Sequence, residues 1–291
     1  MILIITRDND KHAERIVKFL RDRNYETLII NYAKFPSDIE ISFEIDKLSY
    51  NFYIKDSSGA TISGEEISSV LNRRHNFPTV PAGVASRKQY QLMVAAEVGL
   101  EIPATVIGNS PSGVINFLNR VEPPFAAKTI YSPGVRFSDE GKERRISLYT
   151  RKLSNESITS RIKTIKNCPT IIQCYIEKDF ELRITIVGEK VFACAIHSQN
   201  SSRTTEDWRR YDLPNTPHKI YTLPPEVESS CKALLKKLGL PFGCIDMVVT
   251  PEGKHVFLEI NPNGQWLWIE QLTGLPISES IADLLINGYC H

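Results

Sequence analysis

Two apolar runs near the end of the chain, Cys244-Ile245-Asp246-Met247-Val248-Val249-Thr250 and Phe257-Leu258-Glu259-Ile260-Asn261, constrain its folding more than any other feature. Each has the length of a strand, and each carries polar side chains in an otherwise apolar stretch. The connector Pro251-Glu252-Gly253-Lys254 is turn-like, so the runs are expected to pair as an antiparallel hairpin. Residues two apart on a strand point to the same face, which sets the oxygens of Glu259 and Asn261 side by side. A loop of those four residues alone places Asp246 opposite Glu259, whereas a five-residue loop puts them on opposite faces. A lone acid in a strand ordinarily faces solvent. Here Pro262-Asn263-Gly264 stops the strand where its polar groups gather. Two carboxylates and an amide oxygen converging in this way make a hard-cation site suited to Mg²⁺ carrying phosphate oxygens.

The 291 residues, 42% hydrophobic and 24% charged, suffice for a real core. A formal net charge of +1 gives no global electrostatic case for nucleic acid or an anionic membrane. The opening Met1-Ile2-Leu3-Ile4-Ile5-Thr6 is too short for a signal-peptide core, and no run approaches a membrane span. The cysteines at 168, 174, 194, 231, 244 and 290 form no Cys-x-x-Cys pair. They fit free thiols in a reducing cytoplasm.

Residues 1–6 read as a buried strand, 12–23 as an amphipathic helix with Ile16, Phe19 and Leu20 on one face, and 26–31 as the next strand. That opening predicts a small α/β domain over 1–85. A helix follows, with Ser86 as N-cap, Tyr90, Met93, Val94 and Val98 as its apolar stripe, and Gly99 as its stop. Residues 102–107 read as a strand, 110–120 as a capped helix, 123–130 as a strand, 131–145 as a polar mobile loop and 154–165 as a helix. Further on come a strand over 170–176 and a strand pair, 181–187 and 190–198, around Gly188-Glu189. An irregular stretch over 200–217, a helix over 224–238 and a last helix over 277–287 complete the reading. The expected divisions are 1–85, 86–170 and 171–291.

Several residues outside the hairpin carry chemistry. Lys128 lies in an apolar strand, where an unpaired ammonium is costly. It reads either as a snorkelling edge residue or as a phosphate clamp. Lys88 sits in the first turn of its helix. Glu181 and Arg183 share a strand face, either as a plain ion pair or as a hydroxyl acceptor beside a cation for a transferring phosphoryl group. Asp207-Trp208-Arg209-Arg210 offers a basic pair, either exposed or anion-binding.

Lys88, Lys128, Gln173-Cys174-Tyr175-Ile176, Glu181-Leu182-Arg183, Asp246 and Glu259-Ile260-Asn261-Pro262 follow the order and approximate spacing of the ATP-grasp ligases. The chain resembles that family over essentially its whole length, in the branch related to ribosomal-protein glutamate ligases. Within it, Asn72-Arg73-Arg74, His197-Ser198-Gln199, Asp207-Trp208-Arg209 and Asn261-Pro262-Asn263-Gly264-Gln265-Trp266 look like the graspetide, or microviridin-type, peptide macrocyclases.

The resemblance implies a mixed α/β and α+β architecture, the ATP-grasp fold, with an N-terminal α/β domain, a central lobe and a C-terminal lobe that hold ATP between the last two. It implies phosphate contacts from Lys88 and Lys128. The segment Gln173, Cys174, Tyr175 and Ile176 would bind the adenine edge through its backbone, and Glu181 the ribose hydroxyls. Two Mg²⁺ ions would sit on Asp246, Glu259 and Asn261. Arg183 and one of Arg209 or Arg210 would stabilise the acyl-phosphate and tetrahedral intermediate. Arg73, Arg74, Glu206 and Asp207 are candidates for contact with a precursor peptide, the two acids for docking its leader. The implied activity is ATP-dependent ligation of Asp or Glu side chains to hydroxyl or amine side chains, in the cytoplasm, with a homodimer as the expected assembly. Other readings stay open at this stage: a ligase appending an amino acid to a protein or small molecule, a nucleotide-binding module without turnover, and a nucleic-acid binder using its arginine pairs.

Overall fold

The computed structural model describes residues 1–31, 39–46, 49–56, 61–73, 87–129, 134–139, 142–147, 150–167, 170–210 and 212–288. The chain opens with strand β1 (Ile2–Thr6), helix α1 (Lys11–Asp22) and strand β2 (Thr27–Asn31). Asp10 fixes the start of α1, its carboxylate accepting from the His12 amide at 3.0 Å and the Thr6 hydroxyl at 2.8 Å. β1 lies between β2 and β6 (Ser69–Asn72), parallel to both. An antiparallel meander of β3 (Ile39–Asp46), β4 (Ser49–Asp56) and β5 (Thr61–Ser63) packs Ile54 against Leu3 and Ile30 of that sheet. Ile2 and Ile4 share a core with Ile16 and Leu20 of α1 and with Ile277 and Ile281 of the last helix, α7 (Ile277–Asn287). Both ends of the sequence thus meet in one apolar layer.

The middle of the chain forms a four-stranded sheet in the order β11-β8-β12-β7. Its strands are β7 (Thr105–Gly108), β8 (Phe125–Thr129), β11 (Arg151–Leu153) and β12 (Thr170–Cys174). Helices α3 (Pro111–Leu118) and α4 (Asn155–Thr159) cover it through Val114, Phe117 and Ile158, which meet Phe125 and Ile172. The expected helix over 154–165 breaks after α4 and resumes as a 3-10 turn, Ile162–Asn167. The expected loop after β8 contains an antiparallel pair, β9 (Gly134–Asp139) and β10 (Lys142–Ser147). Its alternating Val135, Phe137 and Ile146 are a weak period-two signal among many charges.

The largest sheet is antiparallel, in the order β15-β14-β13-β16-β17. It comprises β13 (Phe180–Val187), β14 (Lys190–Ile196), β15 (His218–Tyr221), β16 (Phe242–Val249) and β17 (His255–Asn261). Gly188, at φ 57°, makes the two-residue turn between β13 and β14. One face carries Leu182, Ile184, Ile186, Ile245, Met247, Phe257 and Ile260 into the main core. There α2 (Lys88–Glu97) and α5 (Pro225–Lys237) cover them with Leu92, Val94, Leu234 and Leu235. The edge strand β15 and the short helix α6 (Leu267–Thr273) were not expected from the sequence; four mostly polar residues and seven residues after a turn carry little periodicity. Among the described residues no helix is long and apolar enough to cross a membrane.

Helix α2 turns Tyr90, Val94 and Val98 of its expected stripe to the main core but departs from expectation at Met93 and at its cap. Ser86 lies outside the described residues, and the cap is Arg87, which makes no side-chain capping bond. Met93 is 59% exposed, whereas Gln91 is buried. The physical reason is an amide clamp: Gln91 Nε2 donates to the Ile260 carbonyl at 2.7 Å, and the Ile260 amide donates to Gln91 Oε1 at 3.2 Å. Gln91 thereby does for edge strand β17 what another strand would. Gln91→Leu should leave both Ile260 backbone groups buried without partners and cost about 2–3 kcal/mol in urea denaturation. A loss below about 0.5 kcal/mol would mean that the clamp adds nothing beyond packing.

Candidate functional site

The face of the large sheet opposite the main core carries Glu181, Arg183 and Thr185 on β13, Cys244 and Asp246 on β16, and Glu259 and Asn261 on β17. The loop between β16 and β17 is five residues long, because Val249 pairs with His255. That loop alone would turn Glu259 toward the core. The ladder slips between Asp246 and Met247, so that Met247 pairs with Phe257 and Asp246 with Glu259, leaving Leu258 over as a bulge. The bulge restores the pairing that a four-residue loop would have produced, and it lets Phe257 and Glu259 each face the proper side.

Arg183 sits directly across from Asp246 on the next strand. Its Nη1 donates to both carboxylate oxygens, at 2.8 and 3.0 Å, and its Nη2 donates to the Gln265 carbonyl at 3.1 Å. Burial pushes the Asp246 carboxyl up, opposed by Arg183, while Glu259 adds to the rise. Burial also disfavours the Arg183 charge, but Asp246 outweighs it and holds the guanidinium ionised. Gly264 is the tightest point nearby. A Cβ there would lie 2.3 Å from Cys244 Cβ, 2.4 Å from its Sγ and 3.1 Å from Arg183 Nη2.

Three further cations surround the pair. Lys88 Nζ is 3.0 Å from Glu259 Oε2. Lys128, reaching in from β8, has its pKa lowered by burial, with Glu259 and Asp246 opposing that and Lys88 and Arg209 adding to it. Burial works against the Glu259 charge too, yet Lys88 and Lys128 overcome it and hold the carboxyl down at about 2. Arg209 is aimed by Asp207, whose Oδ1 accepts from Arg209 Nε at 2.8 Å and whose Oδ2 accepts from Nη2 at 2.5 Å. Asp207 also accepts from the Thr150 amide at 3.0 Å and is only 4% exposed. Its expected role as a leader-docking acid is therefore corrected: every oxygen is engaged inside the protein. Glu206 is half-buried and pairs with Arg210 at 3.5 Å.

At the other end of the face, Glu181 is buried and raised in pKa by that burial, against the pull of Lys178. Lys178 pairs with Glu181 Oε1, which also accepts from the Ser198 hydroxyl at 3.0 Å. The segment expected to bind adenine follows β12. Gln173 faces the sheet interior, donating to Thr105 Oγ1 at 2.9 Å. The amides of Cys174 and Tyr175 donate to the carbonyls of Ala104 and Pro124, each at 2.8 Å, so they are engaged within the protein rather than free for a base. Ile176 remains, with its backbone outside that ladder. Arg73 is corrected as a substrate contact: it is 2% exposed, with Nε 3.3 Å from Asp10 Oδ2. Arg74 lies outside the described residues. Gln91 and Lys178 have no local sequence signal, and Gly264 reads in the sequence as a strand stop without its close approach to Cys244 and Arg183.

Solved structures match this arrangement along the whole chain. A RiPP-associated ATP-grasp ligase from Chryseobacterium gregarium, in complex with ADP and a leader and core peptide, matches at TM-score 0.87 and 27% identity, over 100% of this chain and 97% of its own. The macrocyclase MdnC from Microcystis aeruginosa, bound with the precursor peptide MdnA, matches at TM-score 0.84 and 28% identity, over 99% of each chain. The chain is an ATP-grasp ligase. The ligase PsnB, solved with minimal precursor, Mg and ADP, shares the fold at TM-score 0.76 and 17% identity, over 98% of this chain and 96% of its own. No protein-family model and no curated protein matches the sequence.

The donor set of this ATP-grasp ligase fits a magnesium nucleotide. Four cations, Lys88, Lys128, Arg183 and Arg209, surround two carboxylates, Asp246 and Glu259, leaving an excess of positive charge for phosphates. Among the described residues no group of three His, Cys, Asp or Glu side chains could hold a metal. Oxygens from phosphate and water would complete the shell, as Mg²⁺ prefers. Asn261 already accepts the Asn263 amide at 2.9 Å through Oδ1 and keeps one lone pair there.

Two outcomes follow from this geometry. Gly264→Ala should lower stability by about 2–3 kcal/mol, and adding Cys244→Gly should cost less than the two separate effects summed. Strict additivity in thermal unfolding would rule out the Cys244 contact as the cause. Asp207 is held below its usual 3.8 because Arg209 and the Thr150 amide outweigh burial. A depressed folded value means stabilisation that is complete above 3.8 and fades as pH falls through the folded value. The stability gap between the wild type and Asp207→Asn should accordingly be constant near neutrality and close in acid. A gap that widened in acid would contradict the pairing.

Proposed function

We propose that this ATP-grasp ligase activates Asp or Glu side chains of a ribosomally made precursor peptide as acyl-phosphates and joins them to hydroxyl or amine side chains of the same peptide. The observation carrying this reading is the Asp246–Glu259 pair set among Lys88, Lys128, Arg183 and Arg209 on one sheet face. Its substrate half is supported by the peptide complexes of the ligase from Chryseobacterium gregarium and of MdnC.

In the first step a substrate carboxylate oxygen attacks the γ-phosphorus of ATP, and ADP leaves. In the second, a hydroxyl or amine attacks the acyl carbon, phosphate leaves, and the peptide has lost one water. Both steps gather negative charge, so positioned cations do most of the work. Lys88 and Lys128 bind the phosphates; on binding, Lys88 exchanges its Glu259 contact for a phosphate oxygen. Asp246, Glu259 and Asn261 would hold two Mg²⁺ ions, which supply charge neutralisation and orient the phosphate oxygens. Arg183, kept charged by Asp246, stabilises the transferring phosphoryl group. Arg209, held straight by Asp207, stabilises the oxygen charge of the tetrahedral intermediate. Ile176 and the Cys174 carbonyl remain for the base edge, and Glu181 accepts the ribose hydroxyls.

The test is mass spectrometry of short peptides encoded beside the gene, incubated with protein, ATP and Mg²⁺. One water should be lost per bond formed. Asp246→Asn and Glu259→Gln should abolish the product, and Arg183→Lys should slow it by about 10²–10³-fold. A mass gain equal to an amino acid would place the enzyme among tail-extending ligases instead.

A further inference from the structure

The Asn261–Trp266 turn that carries the end of the site is held from the far side by the N-terminal sheet. Arg73 leaves β6 with its amide donating to the Ile5 carbonyl at 2.7 Å. Its side chain is buried against Asp10, and the guanidinium carbon lies 4.6 Å from the centre of the Trp266 ring. Trp266 is itself fully enclosed: His12 meets its face edge-on at 4.6 Å, Phe242 at 5.4 Å, and its indole nitrogen donates to Ser278 Oγ at 3.0 Å. The preceding residue, Gln265, presents the carbonyl that accepts from Arg183 Nη2 at 3.1 Å. A continuous run of contacts therefore leads from Asp10 through Arg73, Trp266 and Gln265 to Arg183 and Asp246.

We propose that Arg73 is a positioning residue: locked by Asp10, it clamps Trp266 and so sets the Gln265 carbonyl that fixes the guanidinium of Arg183. Burying an arginine is costly unless it is paired, and two 2%-exposed partners spent on one indole make a rigid contact. A flat guanidinium over a flat indole fixes both distance and tilt, which a lysine ammonium does not. Arg183 needs that precision, because a displacement of about 1 Å at a charge-stabilising group costs up to 10²-fold in rate. The arrangement also makes the site incomplete unless the N-terminal sheet is docked.

The inference rests on the ligase reading only for its kinetic arm. The full-length protein carrying Arg73→Lys or Trp266→Phe is compared with the wild type. Amide exchange over residues 261–267 should speed up by about tenfold in both variants, with the β13–β14 hairpin unchanged. In the peptide assay kcat should fall by about tenfold or more while KM for ATP stays within about twofold, and the double variant should be no slower than the worse single one. Unchanged exchange in folded Arg73→Lys overturns the proposal, whatever the activity. So does a matched loss of kcat and ATP affinity, or two effects that multiply. A wild type that makes no product removes the ligase reading, and the exchange result alone then decides the clamp.

Discussion

The pairing of Asp246 with Glu259 is the constraint on which the site depends, and it is held by a single surplus residue, Leu258. Strand side chains alternate, so a one-residue slip exchanges the core face for the site face. Here the five-residue turn dictates one register and the chemistry another. The bulge reconciles them midway: below it Phe257 and Met247 enter the core, and above it Ile260 does so while Glu259 stays with Asp246. β17 is also the sheet edge, and Gln91 closes it with two hydrogen bonds to Ile260 immediately beside Glu259. The same helix turn that supplies Gln91 supplies Lys88. Edge protection and the ammonium proposed to meet phosphate thus come from one element, α2, docked at one strand.

The electrostatics follow from that geometry. Two carboxylates placed side by side in a partly buried site repel by about 4 kcal/mol at a separation near 4 Å and an effective dielectric of 20. The protein offsets this by giving each its own cation, Arg183 for Asp246 and Lys88 for Glu259. Lys128 feels the opposite problem, a buried ammonium near two other cations, and its charge is sustained mainly by Glu259. Each charge is thus tolerable only because of its neighbours, and removal of any one unbalances the rest.

Much of this was legible in the sequence because it follows local rules. Asp246, Glu259 and Asn261 stand at fixed spacing in apolar runs, and the hairpin around Gly188-Glu189 obeys turn chemistry. What escaped depends on long-range partners. Arg73 and Asp207 look like surface charges in sequence, yet each is buried by a partner that no local pattern reveals: Asp10, 63 positions away, and the Thr150 amide, 57 away. Gln91 was hidden for the same reason, a polar residue at an inward position whose partner lies 169 residues on. The hairpin register stayed open in the sequence between a four- and a five-residue loop, since a bulge cannot be told from a shorter loop by counting residues.

Pairing each carboxylate with a cation also determines how the site can accept its ligands. A metal ion approaching Asp246 meets oxygens already shared with Arg183, and a phosphate approaching Lys88 meets an ammonium already paired with Glu259. On the proposed reading neither ligand would bind well alone, because each would strand a charge in a buried place. On that reading the two would exchange partners on arriving together: phosphate oxygens would take over Lys88, and the metal would be held by the carboxylate that Lys88 releases. The charges stay balanced throughout. Arg183 is the member least free to move in that exchange, since Nη2 is tied to the Gln265 carbonyl and Gly264 leaves no space beside it. In the proposed reaction a guanidinium that holds still while its neighbours trade partners would already be in place when charge develops on the transferring group, which is where preorganised electrostatics gain most.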